Sequence, residues 1–291
     1  MNPEWSMIES RVLTPGQVEM AIECEDEEPR IFEIAGGRAA LITHSGPGRG
    51  RPNEDAGVLI SLGPETAVIA VADGAGGMPA GGAASRLALE ALVSSLTGAD
   101  PNRLRIAILD GIEAANGKIM ARSNGSATTL LVAEIHKGHV RTYHAGDSAA
   151  LVAGQRGRLK LLTVSHSPTG YAYESGLFDE LEAAEHPDRH LVNNMLGIPE
   201  LRVEIGSPLL LAPRDTLLLA SDGLFDNLLL EEVIGLVCTG PLHEATADLY
   251  RRCRDHMEDG IGAPPAHPDD LVLIAFRPAA QSTRLTILPP A

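Results

Sequence analysis

Short apolar runs recur along this chain and predict strands that are joined by tight turns. The runs are rich in Val, Ile, Leu and Ala, which is typical of strands that lie within a sheet. Short turns at Lys137-Gly138 and Gly154-Gln155 place neighbouring runs close enough to form antiparallel hairpins. The predicted strands cover residues 30–34, 39–43, 68–72, 128–135, 139–145, 149–153, 159–163, 201–205, 216–220 and 271–276.

Apolar residues also recur at helical spacing, and these stretches predict two pairs of long helices. Ala84, Leu87 and Ala91 fall on one side of the first helix, which ends before Gly98. Because the strands come in hairpins and the helices in consecutive pairs, the pattern favours antiparallel sheets covered by helices over a doubly wound parallel sheet. The predicted helices cover residues 81–96, 102–122, 228–238 and 243–257, with a short one near 180–185.

Composition and charge narrow the class of protein further. A length of 291 residues is within the range of one large α/β or sandwich domain. Hydrophobic residues make up 44% of the chain and aromatic residues only 3%, so the core must consist mainly of Ala, Val, Leu and Ile. The 39 acidic residues against 23 basic ones give a net charge of −16, which argues against a nucleic-acid partner and against an anionic membrane surface.

The cysteines and the first residues of the chain predict where the protein works. Cys24, Cys238 and Cys253 share no metal-ligand spacing, and free thiols fit a reducing cytoplasm. The first residues lack the basic and apolar regions of a signal peptide, and no uncharged apolar run approaches the ~20 residues that span a bilayer. We therefore expect a cytoplasmic protein without a membrane partner.

The chain divides into three predicted parts. Residues 1–38 form an acidic N-terminal extension and first strand region, in which residues 25–28 are a charge run typical of a solvated loop. Residues 39–277 hold nearly all of the predicted strands and helices and form the main domain. This domain includes a polar, irregular segment at about residues 165–195, which we call the flap. Residues 278–291 form a C-terminal tail.

Five short segments carry aspartates at the end of an apolar run and beside a turn. A single Asp-Gly pair is as typical of a turn as of a ligand, but several carboxylates at one partly buried edge would repel each other unless cations neutralise them. Basic residues are scarce around Asp73 and Asp222, and ligands that are all oxygen suit Mg²⁺ or Mn²⁺ better than zinc. The pattern predicts metal-dependent phosphate chemistry. The segments are Asn53-Glu54-Asp55, Val71-Ala72-Asp73-Gly74, Gly146-Asp147-Ser148, Ser221-Asp222-Gly223 and Asp269-Asp270.

These segments, taken in order, resemble the signatures of the metal-dependent protein phosphatases of type 2C (PPM), and of their bacterial single-domain members. One such motif is weak evidence, but six in the expected order are specific. The resemblance extends from about residue 39 to residue 277. The matching segments are residues 51–56, 71–77, 127–129 with 145–148, 186–197, 220–226 and 268–270.

The resemblance implies a fold, an activity and a set of site residues. The fold is α+β, a four-layer α-β-β-α sandwich of two antiparallel sheets flanked by helices. The activity is Mn²⁺- or Mg²⁺-dependent hydrolysis of phosphoserine and phosphothreonine in proteins, with two core ions and a third, weaker one. The implied catalytic residues are Asp73, Asp222 and Arg51. By this resemblance, Asp73 bridges the two core ions, and the Gly74 carbonyl completes the coordination of one of them. Asp222 and Asp269 hold one core ion, and Asp55 with Glu54 holds the other. Asp147 belongs to the third, weaker ion.

The implied chemistry needs no cysteine or serine nucleophile. Two divalent ions roughly 3.5–4 Å apart lower the pKa of a bound water and orient it for attack on phosphorus. A guanidinium adds a bidentate clamp on the phosphate. Arg51 lies three residues before Glu54 and Arg49 lies five before it, whereas four is typical of the family, and we favour Arg51.

Besides this register of the arginine, two further positions depart from the family pattern. Ala75 stands where some relatives carry a histidine that is proposed as general acid, so that protonation of the leaving group falls to water. His144 and His267 could replace that histidine, although isolated histidines beside strands are more often structural. Ala149 stands where relatives commonly carry an arginine.

The predicted partner is a phosphorylated protein, with a serine/threonine kinase as the opposing enzyme, and we expect a monomer. The polar flap is predicted to face this substrate. Tyr171, Tyr173 and Phe178 in the flap could anchor a peptide, but packing of the flap onto the body explains them more simply.

Two other readings of the chain remain to be weighed. Asp73-Gly74-Ala75-Gly76-Gly77 has the position of a dinucleotide-binding loop, but Pro79 follows, and Asp73 would repel a pyrophosphate. The serious alternative is a non-catalytic scaffold or phosphoprotein-binding regulator of the same fold. Loss of core aspartates would mark such a protein, and Asp55, Asp73, Asp222 and Asp269 are all present.

Overall fold

Fourteen strands and seven helices make up the described part of the chain, a computed structural model that covers residues 10–75, 80–259 and 266–279. The strands are β1 (Ser10–Val12), β2 (Val18–Ile22), β3 (Arg30–Ile34), β4 (Gly37–His44), β5 (Asp55–Gly63), β6 (Thr66–Asp73), β7 (Leu130–His136), β8 (His139–Ala145), β9 (Ala149–Gly154), β10 (Arg158–Leu162), β11 (Glu204–Ile205), β12 (Leu209–Leu210), β13 (Thr216–Ala220) and β14 (Leu271–Pro278). The helices are α1 (Gly81–Leu96), α2 (Leu104–Ala121), α3 (Pro168–Glu174), α4 (Glu180–Ala184), α5 (Asp222–Phe225), α6 (Leu230–Val237) and α7 (Leu242–Asp259).

The strands form two sheets of seven. The first sheet has the order β1-β3-β4-β14-β13-β9-β10, and the second has the order β11-β8-β7-β6-β5-β2, with β12 also paired to β8. The predicted hairpins at Lys137-Gly138 and Gly154-Gln155 join β7 to β8 and β9 to β10. All described strand pairs are antiparallel except β1 with β3, which is parallel. The prediction of two antiparallel sheets is therefore confirmed, with that one exception at an edge.

Three apolar clusters hold four layers together. The central cluster lies between the sheets and includes Leu41, Leu131 and Ile274. A second cluster packs α1 and α2 onto the outer face of the second sheet, and a third packs α6 and α7 onto the first sheet. Such burial of apolar surface is the main stabilising term of the fold. The predicted α-β-β-α sandwich is confirmed.

Several elements were missed or misjudged at the sequence level. β5 was not predicted, although it is an interior strand of the second sheet, between β6 and the edge strand β2. β1 and β2 lie in the segment that was left as an extension, and β2 pairs with β5. The flap contains the additional helix α3. The predicted strand over residues 201–205 shortens to Glu204–Ile205. The division into residues 1–38, 39–277 and 278–291 stays a prediction.

The topology brings the aspartate segments to one edge of the sandwich. β5 begins with Asp55 and β6 ends with Asp73, and these two residues are directly paired in the second sheet. In the first sheet β13 ends just before Asp222, and its partner β14 begins just after Asp270. The connection from β8 to β9, which contains Asp147, crosses from one sheet to the other. No helix of the described residues is long and apolar enough to cross a membrane.

Candidate active site

Three predicted metal ligands meet at this edge of the sandwich. Carboxylate oxygens of Asp73, Asp147 and Asp222 all lie within 4.8 Å of one another, and each of the three residues is partly buried. Asp55 lies beside them, since it pairs with Asp73 in the sheet and is only 2% exposed. Four carboxylates that were predicted from separate segments are thus brought together.

The position of Asp73 is fixed by two threonines of the segment before β7. The Thr129 amide donates to the Asp73 carbonyl at 2.8 Å, and the Thr128 hydroxyl donates to the same carbonyl at 2.7 Å. The Asp73 amide donates to the Thr129 hydroxyl at 3.0 Å, and that hydroxyl also contacts the Ser148 hydroxyl at 2.7 Å. These bonds connect the end of β6 to the Gly146-Asp147-Ser148 turn, so the two carboxylates keep a fixed spacing.

Asp55 is held by the asparagine of the first motif. Its amide donates to the Asn53 Oδ1 atom at 2.9 Å, and Asn53 in turn donates to the Cys24 carbonyl at 3.0 Å and to the Thr43 hydroxyl at 2.9 Å. The side chain of Asn53 is therefore fully occupied by structural hydrogen bonds. Asn53 therefore fixes the backbone at the start of β5, and the backbone of this strand sets the position of the Asp55 carboxylate.

The cluster is electrostatically unfavourable without a cation. Burial, with the charges of Asp270 and Asp222, raises the pKa of Asp55 to about 8. Burial, with the charge of Asp222, likewise raises the pKa of Asp147 to about 8. The pKa values of Asp73 and Asp222 are also raised, and burial is the largest cause for both. Each carboxylate costs free energy when it ionises beside the others.

The donor atoms fit a divalent cation that prefers oxygen. Within the described residues, Asp55 Oδ2 and Asp147 Oδ1 are buried and have no hydrogen-bond partner. Buried carboxylate oxygens are normally paired, so these unpartnered ones fit a site for a cation. The set contains carboxylates and no thiolate, which suits Mg²⁺ or Mn²⁺.

Glu54 and Gly74 lie where the end of β6 meets the first turn of α1. The Gly82 amide of α1 donates to Glu54 Oε1 at 3.3 Å, so the positive end of the helix faces this carboxylate. A Cβ atom on Gly74 would lie 2.4 Å from the Gly81 carbonyl carbon, so this position requires glycine. The Gly76 and Gly77 residues of the motif, and Pro79, lie outside the described residues.

The remaining predicted ligands lie at the rim and pair with arginines. Asp269 is 39% exposed and forms an ion pair with Arg49, and Glu54 forms one with Arg51. Asp269 and Glu54 are therefore not among the carboxylates that meet within 4.8 Å. Both candidate phosphate-binding arginines lie directly beside predicted metal ligands.

Asp270 is a site residue that sequence reasoning did not select. Its side chain is 2% exposed and accepts the Gly46 amide at 2.9 Å and the Glu54 amide at 3.0 Å. Arg49 lies 3.6 Å from one of its oxygens, and Arg51 lies 3.7 Å from the other. One buried carboxylate thus ties both ends of the arginine-bearing segment. The sequence feature that could have identified Asp270 is its position, as a charged residue immediately before an apolar strand.

Asp226 is the second residue that was missed. It lies four residues after Asp222, so the single helical turn of α5 places both on the same side. Burial, with the charges of Asp222 and Asp147, holds the pKa of Asp226 well above its usual range. Arg189 of the flap lies 3.4 Å from its carboxylate. The spacing of four in Asp222-Gly-Leu-Phe-Asp226 was the available signal.

The two histidines that could replace the general acid are not among the residues grouped in the aspartate cluster. The Nε2 atom of His144 donates to the Val164 carbonyl at 3.0 Å, and its ring stacks on His166 with 4.5 Å between ring centroids. Burial lowers the pKa of His144, and it also lowers that of His267. The backbone of His267 is bound by Asn227 at 2.7 Å. These contacts favour structural roles for both histidines.

The aromatic residues of the flap have different surroundings. Phe178 stacks on His186 within the flap, with ring centroids 5.1 Å apart. Tyr171 is 42% exposed, and Tyr173 lines a cavity between the flap and the body. Packing therefore explains Phe178, while Tyr173 is available to a ligand in the cavity.

Two facing sheets with a buried, oxygen-rich acidic centre at one edge define a class of metal-dependent hydrolases. The family model described as protein phosphatase 2C matches residues 44–257, and the chain belongs to that family. Its members are metal-dependent protein phosphatases, which confirms the family, the fold and the enzyme class that the sequence motifs predicted.

Named relatives and solved structures agree with this membership. The chain is 30% identical to a protein named serine/threonine phosphatase stp from Listeria welshimeri over 185 residues, which cover 59% of this chain and 72% of the relative. The structure of the S. agalactiae serine/threonine phosphatase superposes with a TM-score of 0.70 at 25% identity and covers 82% of this chain and 98% of its own. The Ser-Thr phosphatase MsPP of Mycobacterium smegmatis, in complex with cacodylate, gives a TM-score of 0.67 at 28% identity over 82% of this chain and 97% of its own.

Proposed function

We propose that this chain removes phosphate from phosphoserine and phosphothreonine residues of proteins, with Mn²⁺ or Mg²⁺ as cofactor. The observation that carries the proposal is the convergence of Asp73, Asp147 and Asp222 within 4.8 Å, beside the buried Asp55. The relatives are named serine/threonine phosphatases, which supports this choice of substrate.

The ligand set of the proposal follows the family motifs. Two core ions would share Asp73, with the Gly74 carbonyl as a further ligand. One of these ions would also be held by Asp222 and Asp269, and the other by Asp55, with Glu54 acting through water. Asp147 would hold a third, weaker ion. When bound, such ions supply Lewis acidity and a water of lowered pKa. The unpartnered oxygens of Asp55 and Asp147 support these assignments.

Arg51 is the proposed phosphate-binding residue, and the segment that carries it is already ordered. Asp270 accepts hydrogen bonds from both ends of this segment and draws Arg49 and Arg51 towards one point. A guanidinium held in this way can turn from Glu54 to a substrate phosphate, because both are oxyanions of similar geometry. In this proposal Asp73 and Asp222 orient the reacting groups, and solvent water protonates the leaving oxygen.

The proposal extends to partners and place of action. A phosphorylated protein is the substrate, a serine/threonine kinase is the opposing enzyme, and the enzyme is a cytoplasmic monomer with its catalytic domain at residues 39–277. The free thiols of Cys24, Cys238 and Cys253 fit a reducing compartment. The net charge of −16 supports a partner other than nucleic acid.

A simple turnover assay separates the enzyme from a non-catalytic scaffold of the same fold. p-Nitrophenyl phosphate is offered to the metal-free protein, to the protein with Mn²⁺ and to the Asp222→Asn variant with Mn²⁺. We expect release of p-nitrophenol only by the wild type with Mn²⁺. A folded wild-type protein that shows no turnover at any Mn²⁺ concentration would support the scaffold.

A further inference from the structure

A cavity lies between the flap and the body, directly beside the aspartate cluster. On its body side it is lined by Asp147, Asp222 and Asp226, and by apolar residues such as Leu162 and Phe225. Its lining is continuous from the candidate metal ligands to helices α3 and α4 of the flap. A substrate whose phosphate reaches the cluster therefore has this cavity next to it.

The size and lining of the cavity suit one side chain with an apolar stem. Its volume is about 150 Å³, and an apolar cavity of about this volume accommodates a molecule the size of benzene. The apolar walls stabilise methylene groups, and long basic side chains bury such stems while their charged ends stay at polar groups. The cavity thus selects for length and for an apolar stem.

Two flap carboxylates border the cavity and supply the charge at its other side. Glu180 at the start of α4 accepts a hydrogen bond from the Leu230 amide, which anchors the flap to α6. Glu174 at the end of α3 is exposed and, within the described residues, forms no hydrogen bond or ion pair. Tyr173 lies beside them in the lining. Neither carboxylate forms an ion pair within the described residues, so each can bind a cation without giving up an existing cationic partner.

The flap as a whole carries negative charge, like Glu174 and Glu180. Between Leu177 and Arg189 there is no lysine or arginine. Arg189 also lines the cavity, where it pairs with Asp226 on the body side at 3.4 Å. The basic residue of the flap is thus directed at the aspartate cluster, and the carboxylates are left at the flap side. The acidic residues of the segment are Glu174, Asp179, Glu180, Glu182, Glu185 and Asp188.

We propose that this cavity is a specificity pocket for a lysine or arginine side chain of the phosphorylated protein, a few residues from the phosphoresidue. The aliphatic stem lies in the cavity, and the cationic end lies at Glu174 and Glu180. The proposal rests on the proposed phosphatase function. It names the substrate class as proteins in which lysine or arginine residues flank the phosphoserine or phosphothreonine.

The test uses three phosphothreonine peptides of one length, whose flanking residues are arginine, alanine or glutamate. We expect kcat/KM with Mn²⁺ to fall in that order. In the double variant Glu174→Gln with Glu180→Gln, the ratio of kcat/KM for the arginine peptide to that for the alanine peptide should fall about fivefold. Glutamine at position 180 keeps an acceptor for the Leu230 amide, so the flap stays anchored. Glu113→Gln, on the exposed side of α2, is the matched control and should leave the ratio unchanged.

The outcomes separate the pocket from the phosphatase function. Equal kcat/KM for the three peptides, with normal turnover of p-nitrophenyl phosphate, would overturn the pocket and leave the function standing. A fourth peptide of the same length, with flanking leucine residues, tests for a purely apolar pocket. A higher kcat/KM for this peptide than for the arginine one would also overturn the proposal. If the protein hydrolyses none of the substrates, the same peptides are made with a non-hydrolysable phosphonate in place of the phosphate. Their Kd values for the protein are then measured by fluorescence anisotropy. A lower Kd for the arginine peptide supports the pocket, and equal Kd values refute it.

Discussion

Asp269 and Asp270 are neighbours at the start of β14, yet their surroundings assign them different roles. Asp269 is 39% exposed and faces Arg49, whereas Asp270 is buried and accepts two backbone amides. In the proposal, the first exchanges its arginine for a metal ion. The second is a positioning residue that holds the segment from Gly46 to Glu54, and with it the two arginines that are candidates for phosphate binding.

Substitution of Asp270 should therefore act on substrate binding. Asp270→Ala removes both acceptors and leaves the Gly46 and Glu54 amides unpaired, and we expect KM for a phosphothreonine peptide to rise about tenfold. Asp270→Asn keeps one acceptor oxygen and should give a smaller rise. Steady-state kinetics at saturating Mn²⁺ measure both, with product inhibition by inorganic phosphate as a second readout that should weaken in parallel.

Asp269→Asn is the matched comparison one residue away. It should raise the Mn²⁺ concentration needed for half-maximal activity and change KM for the peptide less than Asp270→Ala does. Identical kinetic effects of the two substitutions would contradict this division of roles.

At the level of single residues, the sequence predicted which carboxylates would form the site better than it predicted the contacts that hold them in place. Asp55, Asp73, Asp147 and Asp222 stood out because each follows or begins an apolar run, and the structure brings them together. Asp226 and Asp270 were missed because their local signals, a spacing of four from Asp222 and a position just before an apolar strand, are too weak to assign a role. Their roles depend on contacts with Arg189 and with Gly46, which are distant in sequence.

Among the elements, β6 and α1 meet at a backbone contact that leaves no room for a side chain. A Cβ atom at Gly74 would lie 2.4 Å from Gly81 and disturb both Glu54 and the Asp73 position. We expect Gly74→Ala to lower the free energy of unfolding by roughly 2–3 kcal/mol and to reduce Mn²⁺-dependent activity. Chemical denaturation and turnover measure the two effects.

Gly117→Ala is the control for this substitution. Gly117 lies on the exposed side of α2, and a Cβ atom there has nothing within 4 Å. Alanine in a helix interior should raise the free energy of unfolding by roughly 0.5–1 kcal/mol without changing activity. Equal destabilisation by both alanines would mean that the Gly74 contact is not the cause.

Predicted and observed elements differ where tertiary contacts outweigh local pattern. The strands β8 and β13 and the helix α1 match their predicted ranges, since their patterns are long and uninterrupted. β5 was missed because it is buried on both faces and so lacks alternation, and because it starts with Asp55 and ends at Gly63 beside a proline. The short strands β1 and β2 exist by pairing with β3 and β5 rather than through their own composition.

For the whole molecule, the raised pKa values of the cluster predict how stability depends on pH. Asp55 and Asp147 have folded-state pKa values of about 8, above the ordinary value of 3.8, so the folded metal-free protein binds more protons than the unfolded chain between these values. Its stability should fall as pH rises from about 4 to about 8, because these groups must then ionise beside one another. Thermal unfolding of the metal-free protein at pH 5.5 and pH 8.5 checks this.

Two comparisons sharpen that measurement. Asp55→Asn removes one titrating group and should reduce the loss of Tm between the two pH values. Added Mn²⁺ should raise Tm more at pH 8.5 than at pH 5.5, since ligands must be deprotonated to bind it. A metal-free Tm that rises with pH in the wild type and in Asp55→Asn alike would show that the cluster does not control stability.

The most direct measurement for the whole enzyme is hydrolysis of a phosphothreonine peptide by wild type and Asp73→Asn as Mn²⁺ is titrated. The carboxylate of Asp73 lies within 4.8 Å of those of Asp147 and Asp222, and in the proposal it is shared by the two core ions. Replacing it with a neutral amide should therefore remove a central ligand of the site. We expect saturable, Mn²⁺-dependent turnover by the wild type and nearly none by Asp73→Asn, although the metal-free variant should unfold at a Tm no lower than that of the wild type. Near-normal kcat in folded Asp73→Asn would contradict a metal centre built on this cluster.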